Sequence, residues 1–399
     1  MRLFWPKDGS FEEEFSSLQK QTPLYPFQVT VLEFVQVLSK RLVRVKGAPE
    51  IVALGYWLRK AHIHEMHESW ITETAEKVIR PRGTIFHIAP SNVDTIFVYS
   101  WMLSLLAGNR NVIRISSKET ELNELLYIIV GILEQVQFQE IANRTIICTY
   151  GYEEKATELL SAACHTRVIW GGDETVRKIR QIPLAPMANE LAFPDRFSQA
   201  VVHASSFNKL NDVERKQLLE QFYNDVFWFD QMACSSPRLV TWVGEGNVVS
   251  NAQQFFWQSF EQVIQSKQYE LLAATQVIKL TTSLWMATEE DVQEVKPTPY
   301  FSRVAFNNLP REVRERHCGG GLFFERTVSN LIVASEAIID KDQTLAYFGF
   351  TRDELITFVD SISTRGIDRI VPIGQALKFD GIWDGQNFLK SFTREVVVI

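Results

Sequence analysis

From residue 84 onward, short apolar runs alternate with longer stretches of helical periodicity. Thr84–Ala89 is a β-branched apolar run, and Pro90-Ser91-Asn92 is a turn. Thr95–Ala107 reads as a buried helix closed by Gly108-Asn109. The alternation repeats as strand Asn111–Ile115 with helix Glu119–Gln137, strand Thr145–Tyr150 with helix Glu153–Ala163, and strand Thr166–Trp170 with helix Glu174–Gln181. Gln199–His203 adds a further strand. Such βαβ units build a parallel sheet covered on both faces, so the expected fold class is α/β. Ligands of these sheets bind beyond the carboxyl ends of the strands. That singles out the turns at 90–92, at 116–119, which Ser116 opens, and at 171–173.

Before residue 80 the chain is mixed and polar, with a helix over Phe27–Leu42 and one or two more within Ile51–Arg80. From about Ser205 the pattern restarts. Asp212–Phe227, Asn251–Gln265 and Arg352–Ser361 read as helices. Leu239–Val243, Val304–Asn307, Leu322–Val328, Leu331–Val333 and the tail Arg394–Ile399 read as strands. The restart predicts two domains, 1–204 with 376–399, and 205–375.

Composition narrows the class. The 399 residues are 46% hydrophobic and 22% charged, with a formal net charge of −7, so nothing marks a nucleic-acid surface. Twenty-seven Phe and ten Trp suit ordinary core packing, or the lining of an apolar tunnel. The start, MRLFWPKDGSFEEEF, lacks the apolar core of a signal peptide, and no apolar run reaches about 20 residues. The four cysteines show no CxxC spacing, so free thiols in a reducing cytoplasm are expected. His62, His64 and His67 are one residue short of HExxH spacing and read as a solvated helix face, with no metal site expected.

Cys148 and Cys164 lie inside apolar elements and read as structural. Cys234 stands between a helix and a strand, in Gln231-Met-Ala-Cys-Ser-Ser-Pro-Arg238, where small polar residues and a proline force a turn. A thiol there is a candidate nucleophile, and its acyl product is a thioester reactive enough to accept hydride. Cys318, ahead of Gly319-Gly320-Gly321, is the second candidate.

Gly83-Thr-Ile-Phe-His-Ile-Ala-Pro-Ser-Asn92, a helix, Ala107-Gly108-Asn109 and a strand to Arg114 together resemble the aldehyde dehydrogenase superfamily. In that superfamily a Pro-x-Asn turn supplies the oxyanion-binding asparagine, which Asn92 matches. A lysine there contacts the adenosine ribose, and Arg114 takes its place. Gly171 and Gly172 resemble the helix start that faces the pyrophosphate. Glu190-Leu-Ala-Phe193 resembles the Glu-Leu-Gly-Gly segment whose glutamate activates water, with both glycines replaced. There is no GxGxxG fingerprint. Ala-Cys-Ser-Ser-Pro-Arg at 233–238, Gly366-Ile-Asp-Arg-Ile-Val-Pro-Ile-Gly374 and Ile382-Trp-Asp-Gly385 resemble more closely the fatty acyl-CoA reductases of bacterial luminescence.

The resemblance implies an aldehyde-dehydrogenase-like fold: a Rossmann-type cofactor domain, and a second α/β domain carrying the nucleophilic cysteine. It implies NADPH, with NADH as the alternative, bound near Arg114, Ser116, Gly171 and Gly172. An acyl-CoA or acyl-protein would load Cys234, and hydride would release a fatty aldehyde. Asn92 and the Cys234 backbone N–H would hold the oxyanion, where one such donor is worth about 3 kcal/mol. Glu190 would act as a base or help to ionise Cys234. An acyl-protein synthetase partner and a homo-oligomer built through terminal strands are also implied. The plainer readings are a turn former for Asn92, a strand-end arginine for Arg114, a strand-to-helix turn for the two glycines and a structural carboxylate for Glu190. Two rival functions stand beside the reductase: an NAD-dependent aldehyde dehydrogenase, and a non-catalytic acyl carrier within a synthetase complex.

Overall fold

The computed structural model describes residues 1–90, 95–116, 123–151 and 154–399. It divides into two units, Met1–Asp195 with Phe379–Ile399, and Arg196–Lys378.

The first unit contains β1 (Arg2–Trp5), β2 (Val78–Pro81), β3 (Thr84–Ile88), β4 (Arg110–Ile115), β5 (Thr145–Thr149), β6 (Thr166–Trp170) and β7 (Asn189–Phe193). Its main sheet has the order β1-β5-β4-β3-β6-β7, parallel except for β1 at the edge. Every residue of β3, β5 and β6 is buried, as a parallel sheet covered on both faces requires. The helix Ile96–Leu106 is buried at all eleven positions. The chain builds outward from β3 to β5, then returns across β3 to β6. The strand order therefore reverses between β3 and β6, the place where such sheets take ligands. β2 pairs instead with Thr393–Val396 in a separate antiparallel ribbon.

The second unit holds β8 (Phe197–His203), β9 (Pro237–Val243), β10 (Val292–Pro297), β11 (Ser302–Phe306), β12 (Leu322–Val328), β13 (Asp342–Phe348) and β14 (Arg369–Pro372). They form one sheet, β10-β11-β12-β9-β8-β13-β14, parallel except for β10. The helices Asp212–Phe227 and Gly246–Ser266 cover one face with an aromatic core that includes Phe222, Phe256, Phe260, Trp242, Trp257 and Phe323. Much of the phenylalanine load therefore does packing work. Within it, Glu325 accepts indole N–H groups from Trp242 at 2.9 Å and Trp257 at 2.7 Å and pairs with Arg303 at 3.1 Å.

The sequence places the boundary at 204/205 and 375/376. The structure puts it at 195/196 and 378/379, because β8 pairs on both sides with strands of the second unit. Leu331–Val333 is not a strand but the start of the helix Leu331–Ser335, capped by the Asn330 side chain. Three apolar residues are too short a run to reveal a period. β10, β13 and the helix Ala273–Met286 carry no clear apolar alternation and were not anticipated.

The segment Gly366–Gly374 works as a clasp inside the second unit. Asp368 pairs with Arg196 at 2.5 Å, and Arg369 donates to the carbonyls of Gln375, Ala376 and Lys378. Asp225, near the end of helix Asp212–Phe227, accepts the N–H groups of Gly374 at 2.6 Å and Ala376 at 3.0 Å. Burial pushes the Asp225 carboxyl up to about 7, against the pull of those donors. An unfolded aspartate titrates near ~4. The folded state therefore binds the proton more tightly, and this contribution to stability is complete below about pH 4 and gone above about pH 7. Between those limits the group lowers stability by up to about 1.4 kcal/mol per pH unit as pH rises. Urea unfolding at pH 5 and pH 8 should show that decline in the wild type, and Asp225→Asn should flatten it. An equal pH dependence in the variant would refute the assignment.

Candidate active site

Helix Asp212–Phe227 runs into a tight loop. Asp230 and Gln231 both take left-handed backbone angles, φ 49° and 62°, which cost non-glycine residues of order 1 kcal/mol each. The loop is closed by N–H bonds from Gln231 to the Val226 carbonyl and from Met232 to the Phe229 carbonyl, both 2.7 Å. Next comes a β-turn, Ala233–Ser236, whose Ser236 N–H reaches the Ala233 carbonyl at 3.0 Å. Cys234 occupies the first corner of that turn and is partly exposed. Its carbonyl accepts the Ser198 hydroxyl at 2.6 Å, and the Ser198 oxygen accepts the Thr344 N–H at 3.2 Å. The thiol therefore sits at the amino end of β9, on a turn fastened to β8 and β13.

The segment ahead of β12 packs on this turn. The Gly320 N–H donates to the Asp230 carbonyl at 2.8 Å, and the Gly321 N–H donates to Gln231 Oε1 at 3.0 Å. A Cβ on Gly319 would lie 2.5 Å from the Met232 sulfur, and one on Gly320 would lie 2.4 Å from Thr275 Cγ2. Both also stand at positive φ, 71° and 62°, where a side chain would be strained. Their role, and those of Gln231 and Ser198, were missed in the sequence. The glycine triplet beside Cys318 was the available signal.

The cysteines divide sharply. Burial pushes Cys148 and Cys164 up to about 12, which suits inert core thiols. Cys318 is partly exposed and is also pushed up by burial, though the Thr282 hydroxyl and Lys279 pull the other way. His317 accepts the Gly319 N–H on Nδ1 at 3.1 Å and lies 2.7 Å from the Leu322 carbonyl through Nε2. Both of its ring nitrogens are engaged, and burial holds it neutral.

In the first unit, Arg114, Ser116, Gly171 and Gly172 gather at the carboxyl edge of the sheet. Arg114 ends its strand pairing opposite Ile88 and donates to the Tyr150 carbonyl at 3.1 Å, with its guanidinium 5.4 Å from the Tyr150 ring. Ser116 follows β4 and is nearly buried. Gly172 is the N-cap of the helix Asp173–Arg180, and a Cβ added there would meet nothing within 4 Å. A guanidinium at this edge suits a ribose or a 2′-phosphate, so the set fits the adenosine end of a dinucleotide. Asp173 and Glu174, however, put two carboxylates in the first helical turn, which disfavours a phosphate directly on that helix end. Asn92 lies outside the described residues.

Glu190 is elsewhere. It pairs in register with Arg167 near the amino end of β7, three residues from the carboxyl edge where Trp170 meets Phe193. Oε2 accepts from Arg167 at 2.6 and 3.0 Å, and Oε1 accepts from Arg180 at 2.8 Å. Both oxygens are thus held by guanidinium groups, Oε2 by the buried Arg167 and Oε1 by the exposed Arg180. This geometry is that of a structural carboxylate. Among the described residues no group of three or more His, Cys, Asp or Glu is placed to hold a metal ion.

Two parallel α/β units, one doubly wound and one carrying a braced thiol turn, define an oxidoreductase fold of the aldehyde dehydrogenase type. The chain belongs to the acyl-CoA reductase (LuxC) family, which it matches over residues 63–395. It is an enzyme of the acyl-CoA reductase and aldehyde dehydrogenase class. The substrate-bound state of Staphylococcus aureus AldH is similar at TM-score 0.65 and 14% identity, over 97% of this chain and 93% of that one. Physcomitrella patens aldehyde dehydrogenase 21, in complex with the product succinate, gives TM-score 0.67 at 10% identity, covering 96% and 87%. A NAD-dependent benzaldehyde dehydrogenase from Corynebacterium glutamicum gives 0.61 at 14%, covering 96% and 86%. At such identities the likeness is one of fold. No curated protein matches the chain.

If Glu190 is structural, Glu190→Gln should destabilise the protein by about 2–4 kcal/mol in denaturant, because Arg167 keeps a buried charge. Turnover per folded molecule should be unchanged, instead of falling the ~10²–10⁴-fold that loss of a catalytic base brings. A loss of that size with intact stability would restore Glu190 to the chemistry.

Proposed function

We propose that this enzyme reduces an acyl thioester to an aldehyde through an acyl group carried on Cys234. The observation that carries the reading is a partly exposed thiol on a hydrogen-bonded turn, in a chain of the acyl-CoA reductase family. The Cys234 sulfur attacks the thioester carbonyl of a fatty acyl-CoA or acyl-protein. The carbonyl–sulfur bond of the donor breaks, CoA or the carrier leaves as a thiol, and the acyl group is now a thioester of Cys234. When bound, a reduced nicotinamide supplies the hydride that converts this thioester carbon to the aldehyde level. Carbon–sulfur cleavage then frees the aldehyde, and the Cys234 sulfur regains a proton from solvent. Asn92 and the Cys234 backbone N–H are the proposed oxyanion donors.

Arg114 and Ser116 are proposed to hold the adenosine ribose, with the Gly171-Gly172 turn leaving backbone open to the cofactor. Arg114 favours NADPH, since a guanidinium pairs well with a 2′-phosphate, and NADH remains the alternative. The arginine-saturated Glu190 favours reduction over hydrolysis, because the carboxylate expected to activate water is occupied. A partner that loads the acyl group and a homo-oligomer through the ribbon of β2 with Thr393–Val396 belong to the same proposal. So does action in the cytoplasm. Among the described residues no single helix is long and apolar enough to cross a membrane.

NADPH oxidation with a panel of acyl-CoAs tests the reading, with the aldehyde identified by gas chromatography. Cys234→Ala should lose at least about a thousandfold in turnover. Full activity in that variant would remove the mechanism. Rapid acid formation from aldehyde and oxidised cofactor without CoA would point to a dehydrogenase. An acyl adduct on Cys234 with no cofactor oxidation would point to a carrier.

A further inference from the structure

We propose that Gln231 is a positioning residue that sets the reactivity of Cys234, an inference that rests on Cys234 being the acyl acceptor. Gln231 is completely buried, three residues before the thiol. Its side-chain amide makes two bonds. Nε2 donates to the carbonyl of Pro237, three residues after the thiol, at 2.9 Å. Oε1 accepts the Gly321 N–H at 3.0 Å. One amide therefore staples the two ends of the Cys234 turn together and ties both to the segment that leads into β12.

The chemistry of the staple is specific to glutamine. Glutamate accepts but cannot donate to the Pro237 carbonyl. Methionine fills similar volume and makes neither bond. Asparagine has the right groups on a stem one methylene too short for both. The backbone shows that this placement is enforced. Gln231 stands at φ 62°, a strained angle for a side-chain-bearing residue, and its N–H is fixed on the Val226 carbonyl at 2.7 Å. The side chain turns inward, under the turn, where its two bonds hold it.

The staple acts alongside the hydroxyl of Ser198. Ser198 holds the Cys234 carbonyl from the β8 side, and Gln231 holds the turn's ends from the β12 side. With both in place, the backbone of the turn has little freedom to carry the thiol away from a bound thioester. Near-attack geometry tolerates little error, and a displacement of about 1 Å costs roughly a hundredfold in rate.

The experiment follows CoA release in a single turnover from acyl-CoA, with no cofactor present, in full-length wild type, Gln231→Met, Ser198→Ala and Cys234→Ala. Alkylation of Cys234 by iodoacetamide is followed across pH by peptide mass spectrometry. Gln231→Met should slow CoA release about a hundredfold at saturating acyl-CoA while the half-saturating concentration stays near wild type. It should also change the pH profile of Cys234 alkylation but not that of Cys318. Ser198→Ala should show the same pattern to a smaller degree, which keeps the test alive if Gln231→Met does not fold. Wild-type release rates in the folded variants would overturn the proposal. So would a loss that appears only as weaker acyl-CoA binding, or a Cys234 alkylation profile that does not move. If Cys234→Ala still releases CoA at the wild-type rate, the acyl-enzyme reading itself fails. If Cys234→Ala is dead but Gln231→Met is normal, only the role of Gln231 fails.

Discussion

The thiol depends on a loop that would not hold its shape unaided. Ordering a loop residue costs about 1–2 kcal/mol of backbone entropy, and Asp230 and Gln231 add left-handed strain to that cost. What offsets it is the amino edge of a parallel sheet. Strand starts offer backbone groups that their neighbours have not yet taken up. Here the loop meets the Pro237 carbonyl at the start of β9, the Gly321 N–H just before β12, and the Ser198 hydroxyl near the start of β8. A buried amide and a buried hydroxyl turn those groups into fixed supports.

The support continues inward. The loop leaves the end of helix Asp212–Phe227, and Asp225 binds that end to the Gly374–Ala376 turn. The clasp is itself held by Arg369 and by the Arg196–Asp368 pair. The start of β13, which meets Ser198 through Thr344, carries the buried pair Arg314–Asp342 at 2.7 Å. The two stretches of sequence that look most distinctive, at 233–238 and 366–374, are thus parts of one supporting network in the second unit. The second stretch supports the helix that leads into the thiol loop, through Asp225 and the Gly374–Ala376 turn.

The same network explains what could and could not be read from the residues. Strands β3, β5 and β6 are buried on both faces and so appear as unbroken apolar runs. β13 is just as central, but it begins Asp-Gln-Thr, and the buried Asp342 is satisfied by Arg314 and the Ile339 N–H. A strand whose polar start is satisfied by a distant residue has no local signature. Gln231 is hidden for the same reason, since its partners lie at Pro237 and at Gly321, ninety residues away. Cys234 could be found, because small polar residues and Pro237 mark its turn locally. The turns that hold Ser116, Gly171 and Gly172 were legible from strand order, which sends them to one edge of the sheet, whereas Arg114 was singled out only by the family resemblance.

Glu190 shows how a short motif can resemble a functional one while its surroundings differ. Its carboxylate lies toward the amino side of β7, and two arginines take both oxygens. A thioester enzyme that is to make aldehyde must keep water from reaching its acyl group before hydride does. Removing an activating base does more for that outcome than adding any contact, because water is always the more abundant nucleophile. The Arg167–Glu190–Arg180 arrangement holds both oxygens of the carboxylate and ties β6 to β7. The carboxylate stays in the chain with both oxygens ion-paired, a setting that its motif alone does not reveal.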